Sequence, residues 1–544
     1  MIFSKKYRFS LSIISGFLLI LSFPFTGGLA FLGFVAWVPL LLVENSIRKG
    51  KLRSGKVFVH AYLSFLIYNL GTTFWIYFAS PEGAYMAIIL NSLFMSLAFY
   101  AYHLARKHLS TNFGWFFLIV FWVGFEHAHY HWELSWPWLT LGNVFSLYPQ
   151  VVQWYEITGV MGGSIWLLGV NYLIFSYLLN QIQQSKGNSQ RNGKRFLIGI
   201  FLALFVPSSF SLVRFFTYKE KSNPVEVAVI QPNIDPYNEK FVRDPSEQIN
   251  KMLGLAREIS SDKTNFILFP ETAISSSVDE GFLRQNESVS AFLNFAKDHP
   301  NAHLLTGAST YAFFKNKNST ASKKINGSSD FIEFYNSSLS IEKDNTDIVH
   351  KSKLVLGVEE IPFTEWFPFL EELSINNGGT SGTLGKEIEP QTINSQHGLY
   401  APIVCYESIY GEFISQQVQK GAELLFIITN DGWWKDTPGY KQHNSFASIR
   451  AIETRRSVAR AANTGYSSFV NQRGEIIKQS SWWKPDAMKT TLNRNKEKTI
   501  YVRWGDFLYR ILSALAVLLI VAIIFKQLKC LVQSKKQDKK KSHL

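Results

Sequence analysis

Three short runs in this 544-residue sequence hold side chains able to do acyl-transfer chemistry. FILFPETAIS brings Pro270-Glu271 to the end of an apolar stretch, and VHKSKLVLGVEEIP supplies Lys351, Lys353 and Glu359. YAPIVCYESIYGE puts Cys405 where an apolar strand gives way to a helix-compatible segment. A thiol there faces the oriented N–H groups of a helix start, which favour the thiolate, and a nearby lysine lowers its pKa further. A carboxylate such as Glu271 can take the thiol proton and later activate a second substrate. Lys351, with the backbone N–H of Tyr406, would stabilise the developing oxyanion. Taken singly, each piece also has an ordinary reading: a core cysteine, a surface turn, a solvated lysine. Spacing alone does not show that they meet.

These residues sit in a stretch, 218–505, with the mixed polarity of a water-exposed domain. Strands are expected over Val225–Gln231, Phe266–Phe269, His303–Thr310, Asn336–Ile341, Asp347–Lys353, Leu399–Cys405, Leu424–Thr429, Val458–Ala462 and Tyr466–Asn471. Helical patterns fit roughly 243–261, 287–299, 408–419 and 443–456. Strands alternating with helices argue an α/β domain with helix-covered sheets. Residues 362–398 are irregular, with Trp366, Phe367, Phe369 and Leu370 near one end; loops this long are commonly lids.

The rest of the chain is built for a bilayer. Apolar segments run over about 9–25, 28–44, 58–79, 84–105, 113–129, 157–182, 195–216 and 507–526, near the roughly 20 residues a crossing needs. The first two are tight enough to be a re-entrant pair. Residues 1–25 resemble a signal sequence but lack a small-residue cleavage site, and are read as retained. Basic residues cluster beside alternate ends: Lys5, Lys6 and Arg8; Arg48 to Lys56; Arg106 and Lys107; Arg191, Lys194 and Arg195; and the tail lysines 535–541. The 130–156 loop has no Lys or Arg. The positive-inside rule then puts both termini in the cytoplasm and 218–505 outside. The expected division is a membrane domain 1–217 with seven crossings, a catalytic domain 218–505, an eighth helix 506–527 and a basic tail 528–544. The net charge of +14 therefore reflects topology, not a nucleic-acid face. Two cysteines, Cys405 and Cys530, exclude a disulfide framework and a Cys-rich metal site.

Within 130–156, Trp132, Trp136, Trp138, Tyr148, Trp154 and Tyr155 read as an interfacial aromatic belt, or as a lipid-binding wall beneath the outer domain. Glu126, an intramembrane carboxylate, is a functional candidate or a hydrogen-bonded structural group.

In these contexts the chain resembles the nitrilase superfamily, whose signature is Glu, Lys and Cys in that order, and within it the membrane-embedded branch, the apolipoprotein N-acyltransferases. The resemblance rests on WPWLTLGN (Trp136–Asn143), IQPNI (Ile230–Ile234), PETAI (Pro270–Ile274), CYES (Cys405–Ser408), TNDGWW (Thr429–Trp434), the Arg450–Gly465 block and YVRWGD (Tyr501–Asp506). It implies a membrane bundle of about eight helices plus an αββα sandwich. It also implies Cys405 as nucleophile, Glu271 as base, Lys351 as oxyanion stabiliser and Glu359 as a second carboxylate orienting the lysine. Tyr406 and Glu407 match the family's Tyr-Glu; Trp138 and Trp433 join them as expected substrate-binding residues. Where the family has Pro-Phe-Gly, this chain has Leu356, Gly357 and Val358, which leaves Lys353 as the alternative lysine. The implied reaction moves an acyl chain from a phospholipid, phosphatidylethanolamine foremost, through a Cys405 thioester to the amine of a diacylglyceryl-cysteine on a lipoprotein, without metal or cofactor, at a bacterial inner membrane with the catalytic domain in the periplasm. The alternatives are a membrane-anchored amidase acting on a small amide, and a transporter, which the scarcity of ionisable groups in the spans disfavours.

Overall fold

The protein is described from a computed structural model covering residues 2–110, 112–184, 193–367, 369–370 and 382–541, with side chains in the last helix to Gln533. Arg191, residues 371–381 of the irregular stretch and the side chains of the tail lysines lie outside the described residues.

Every apolar segment of the sequence carries helix. Among the described residues five helical stretches are long and apolar enough to cross a membrane: Ala30–Lys49, Pro81–His108, Met161–Gln184, Lys194–Thr217 and Phe507–Gln533. Helices Lys5–Ser22, Gly55–Thr73 and Gly114–His129 complete the bundle. The last, at 16 residues, spans about 24 Å, short of a full hydrocarbon core. The final helix continues to Lys541, so the tail is helical beyond the expected end of the span. Local chemistry sets the starts. Ser80 accepts from the Gly83 N–H with Pro81 at the first position, and Arg106, Lys107 and His108 close the same helix. Inside the bundle, Trp37 meets Trp122 edge-on at 4.4 Å, with Phe65 and Phe99 around them.

The outer part holds two sheets. In chain order the strands are β1 Pro224–Gln231, β2 Thr264–Leu268, β3 Ile274–Asp279, β4 His303–Phe314, β5 Lys323–Lys324, β6 Phe331–Ile341, β7 Thr346–His350, β8 Ile393–Ser395, β9 Gly398–Val404, β10 Leu424–Thr429, β11 Ser457–Ala462, β12 Ser468–Val470, β13 Ile476–Gln479 and β14 Asp486–Asn493. One sheet runs β14-β1-β2-β4-β6-β5, with β3 on β4 and β7 on β6; the other runs β13-β12-β11-β10-β9-β8. The central strands β1-β2-β4 and β9-β10-β11 are parallel.

Alternation explains the layering. Val225, Val227, Val229, Phe266 and Leu268 of the first sheet face Tyr400, Val404, Leu424, Phe426 and Ile428 of the second. The opposite face of the first sheet (Ala228, Ile230, Ile267) packs on helices Pro245–Ile259 and Glu287–Asp298. The opposite face of the second (Ala401, Ile403, Leu425, Ile427) packs on helices Gly411–Gln419 and Pro438–Thr454, and its apolar cluster runs without a break into the membrane bundle. The order of layers is therefore helix, sheet, sheet, helix, bundle.

The 130–156 loop forms the seat for that junction. It folds into the short turns Pro137–Leu139, Leu141–Leu147 and Pro149–Val151 and the helix Tyr155–Thr158. Trp138 and Tyr155 are fully buried, whereas Trp132 is 39% exposed. Trp138 and Tyr155 are thus covered by protein, while Trp136, Tyr148 and Trp154 are half-buried. Glu126 pins the seat: it accepts from the Trp122 indole N–H at 3.0 Å and the Leu141 N–H at 2.8 Å. Both bonds use one carboxylate oxygen, in keeping with the hydrogen-bonded structural reading.

Candidate active site

The site lies where the two sheets' parallel strands end on the bundle side. β9 stops at Val404, and Cys405 follows with φ +51°, a left-handed backbone that costs a non-glycine residue about 1 kcal/mol or more. Residues Cys405–Ile409 then form a single 3-10 turn before the helix Gly411–Gln419. The helix start expected at the thiol is this one turn, whose dipole is small. Burial and the Glu271 charge raise the thiol above its ordinary value, opposed by Lys351 and a hydrogen bond with Thr429. The thiol is thus raised where a lowering was expected, and its proton must leave as the bond forms.

Glu271 ends the stretch after β2, with Thr272 beyond it also left-handed at φ +46°. Glycine is required opposite: a Cβ on Gly307 of β4 would stand 2.6 Å from Glu271 Cα and 2.4 Å from Thr272 N. The Glu271 carboxylate accepts from Lys351 Nζ at 3.1 Å and from the Asn336 side-chain amide at 2.8 Å. Glu359 accepts from the same two groups, at 2.9 Å and 2.7 Å, and from the Val355 N–H at 2.8 Å. Lys351 is thereby clamped between two carboxylates in a site with almost no solvent. Burial would raise Glu271, yet Lys351, Asn336 and Lys240 hold it below the ordinary value. Burial would neutralise Lys351, but Glu271, Glu359 and Cys405 raise it instead. An ionised base beside a charged lysine and a protonated thiol is the state from which Glu271 can deprotonate Cys405.

Lys353, the alternative lysine, points elsewhere: its ammonium lies 5.4 Å from the centre of the Tyr410 ring. Glu407 ties the lysine segment to the Cys405 turn. One of its oxygens accepts from the Val404 N–H at 2.7 Å, and the other from the Ser352 N–H at 2.6 Å. Burial pushes its carboxyl up to about 7 against the pull of these N–H groups. Tyr406 donates its hydroxyl to the Ser135 carbonyl at 3.2 Å and stacks on Trp136, which stacks on Trp138. Trp75, Trp138 and Trp434 continue this wall. Trp433 instead meets the Tyr237 ring at 5.4 Å, so of the tandem tryptophans it is Trp434 that joins the wall. Trp366, Phe367 and Phe369 are exposed, and the Phe363 N–H reaches Glu133 of the 130–156 loop.

Three residues of the site escaped the sequence reading. Asn336 sits mid-strand in β6 and bridges both carboxylates. Lys240, fully buried, donates to the Glu271 carbonyl at 3.0 Å and to Thr272 Oγ1, and burial pulls it down to about 8 although Glu271 and Cys405 oppose this. His443 touches the Cys405 carbonyl at 3.2 Å. The only available signal was negative: a lysine shortly after IQPNI and an asparagine within a strand are residues that burial disfavours. No cluster of metal-ligating side chains occurs among the described residues.

Two stacked sheets in helix covers, closed at one end by a carboxylate–lysine–thiol cluster, define a class of enzymes that act on carbonyl carbon through a cysteine. The chain belongs to the carbon-nitrogen hydrolase family, whose family model matches residues 226–500. Residues 15–173 match the family model described as apolipoprotein N-acyltransferase N-terminal domain. Among curated relatives, the apolipoprotein N-acyltransferase of Chlorobaculum tepidum is 28% identical over 95% of this chain and 97% of its own length. That of Borreliella burgdorferi is 24% identical over 93% and 94%. A solved structure, Saccharomyces cerevisiae Nit3 of the nitrilase superfamily, aligns with 51% of this chain and 92% of its own at 16% identity and a TM-score of 0.36.

Proposed function

We propose that this chain transfers a fatty acyl group from a membrane phospholipid to the α-amino group of an S-diacylglyceryl-cysteine at a lipoprotein N-terminus. It is an acyltransferase of the carbon-nitrogen hydrolase family. The observation that carries the reading is the Glu271–Lys351–Cys405 cluster beside a tryptophan wall, in which Trp434 of the sheet domain meets Trp75 and Trp138 from the loops of the apolar helical bundle. A site there serves two substrates whose chains stay in the bilayer. Hydrolysis of a small soluble amide would need no such wall.

In the first half-reaction Glu271 takes the Cys405 proton as sulfur attacks the ester carbonyl. Lys351 Nζ and the Tyr406 N–H hold the oxyanion, and Glu271 returns the proton to the departing lysophospholipid oxygen. In the second, the lipoprotein amine attacks the thioester, gives its proton to Glu271 and leaves as an amide while Cys405 recovers its hydrogen. Glu359 and Asn336 hold Lys351 in place. Phosphatidylethanolamine is the proposed donor. The charge pattern supports eight crossings of a bacterial inner membrane, both termini cytoplasmic, residues 1–217 as membrane domain, 218–505 as periplasmic catalytic domain, 506–527 as the last span and 528–544 as tail.

The test is to trap the intermediate. Membranes incubated with alkyne-tagged phosphatidylethanolamine should yield a hydroxylamine-sensitive label on the wild type and none on Cys405→Ser. Equal labelling of the two proteins would sink the mechanism.

A further inference from the structure

Behind the nucleophile, away from Glu271, lies a second buried polar chain that the reaction as written does not use. The Cys405 carbonyl accepts from Ser408 Oγ at 2.7 Å and faces His443 Nε2 at 3.2 Å; His443 Nε2 is 2.8 Å from Ser408 Oγ. His443 Nδ1 is 2.9 Å from Asp431 Oδ1, which also accepts from Thr429 Oγ1 at 2.9 Å. Asp431 Oδ2 accepts from Arg460 at 2.6 Å. His443, Asp431, Arg460 and Ser408 are each at most 1% exposed.

Arg460 and its neighbours hold Asp431 below the ordinary carboxyl value against burial, so it is an acceptor only, and Arg460 also lies 3.0 Å from His443 Nδ1. The Cys405 carbonyl is also an acceptor only. Ser408 donates to that carbonyl, and Nε2 lies within reach of both the Ser408 hydroxyl and the carbonyl beside it. The ring thus works from beneath on the one peptide of the turn whose residue is left-handed.

The neighbouring residue ties this to the membrane. Gln442 accepts the indole N–H of Trp138 at 2.8 Å and of Trp75 at 3.2 Å, and donates to the Pro24 carbonyl at 3.1 Å. Adjacent positions on the buried helix Pro438–Thr454 therefore grip the bundle and the nucleophile turn.

We propose that His443, oriented by Asp431 and Arg460, is a positioning residue that fixes the Cys405 carbonyl through Nε2 and Ser408, and so aims the sulfur for acyl-enzyme formation. It touches neither substrate nor sulfur; its effect runs through the backbone of Cys405. The inference rests on the thioester reading above.

The experiment measures acyl-enzyme formation from tagged phosphatidylethanolamine, in single turnover across lipid concentrations, for intact wild type, His443→Leu, His443→Gln and Ser408→Ala. Wild type that forms no label refutes the thioester reading itself, whatever the variants do. With wild type labelled, His443→Leu should lose about 100-fold in the saturating rate, at a half-saturating lipid concentration within twofold of wild type, as expected of a nucleophile displaced by a fraction of an ångström. His443→Gln, whose amide can donate to the carbonyl, should recover at least tenfold of that loss. Ser408→Ala, which removes one atom and leaves the ring, should lose about tenfold. The inference is overturned if His443→Leu stays within threefold of wild type, or if its loss appears in half-saturation and not in rate. It is equally overturned if His443→Gln recovers nothing. Should His443→Leu fail to fold, Ser408→Ala decides alone: a rate within twofold of wild type overturns the proposal.

Discussion

At the scale of single residues, the site is a balance of charge inside a dry pocket. Two cations, Lys351 and Lys240, flank Glu271, and only one of them is firmly charged. Lys351 is held up by two carboxylates, whereas Lys240, with only carbonyl and hydroxyl contacts, is pulled down to about 8. Lys240 is therefore a cation in neutral solution and loses its charge as pH rises through about 8. Acyl-enzyme formation should fall along that limb, because the support Lys240 gives to ionised Glu271 disappears. Lys240→Met should flatten the limb and lower the neutral plateau by about tenfold. The stability sign runs the other way. The folded value lies below the ordinary 10.5, so burying the charge costs stability below about pH 8, and that cost fades between 8 and 10.5. An alkaline loss of rate with no drop in melting temperature is the expected pair; a rate limb unchanged in Lys240→Met would contradict it.

At the scale of elements, the catalytic groups are placed by strand ends and by one close backbone approach. Gly307 donates its N–H to the Pro270 carbonyl at 3.0 Å, and β4 passes so near the Glu271 turn that no side chain fits between. Gly307→Ala should push the turn aside. Expected are a destabilisation of about 2 kcal/mol and a fall of about 100-fold in acyl transfer, read by thermal melting and by the labelling assay. Activity within threefold of wild type would show that the turn yields freely.

What could be read in the sequence follows the same division. Cys405 and Glu271 stand in contiguous apolar runs that become β9 and the stretch after β2, so their contexts announce them. Lys351 was less clear beside Lys353, and it is the fold that separates them, aiming one at Glu271 and the other over Tyr410. Asn336 and His443 have no local signature: each matters because of a partner brought by topology from tens of positions away. Strand β14, DAMKTTLN, was missed because only Met488 and Leu492 are buried on it, too few for an apolar run, although its full length pairs with β1. Apolar length marks eight candidate segments in the sequence, and five helical stretches among the described residues are long and apolar enough to cross a membrane. Helix Gly114–His129 shows the limit of that criterion, since a short helix packed among others satisfies it only in part.

At the scale of the whole molecule, the two-sheet part is not a separable globule. Helix Pro438–Thr454 is buried along almost all of its length, between sheet and bundle. Arg455, at its end, pairs with Glu156 and donates to Gln153 at 2.6 Å, both in the seat. Val160 N–H donates to Glu453 at 2.8 Å. Removing residues 1–217 would expose the apolar cluster these contacts seal. A fragment of residues 218–505 should therefore aggregate or need detergent, as judged by size-exclusion chromatography, while the full chain in detergent elutes as a single species. A monodisperse, cooperatively melting fragment in plain buffer would refute this.

The pairing of β14 with β1, Pro224 opposite Asn493, also bears on how the protein is made. A ribosome delivers β1 before β14, with both sheets' other strands between them. Until residue 493 has been synthesised, β1 keeps one edge of hydrogen-bonding groups open, able to recruit any extended chain nearby. The outer sheet is closed by the same stretch of polypeptide that leads into the final helix. Closure of that sheet therefore waits on the residues that lead directly into the helix Phe507–Lys541.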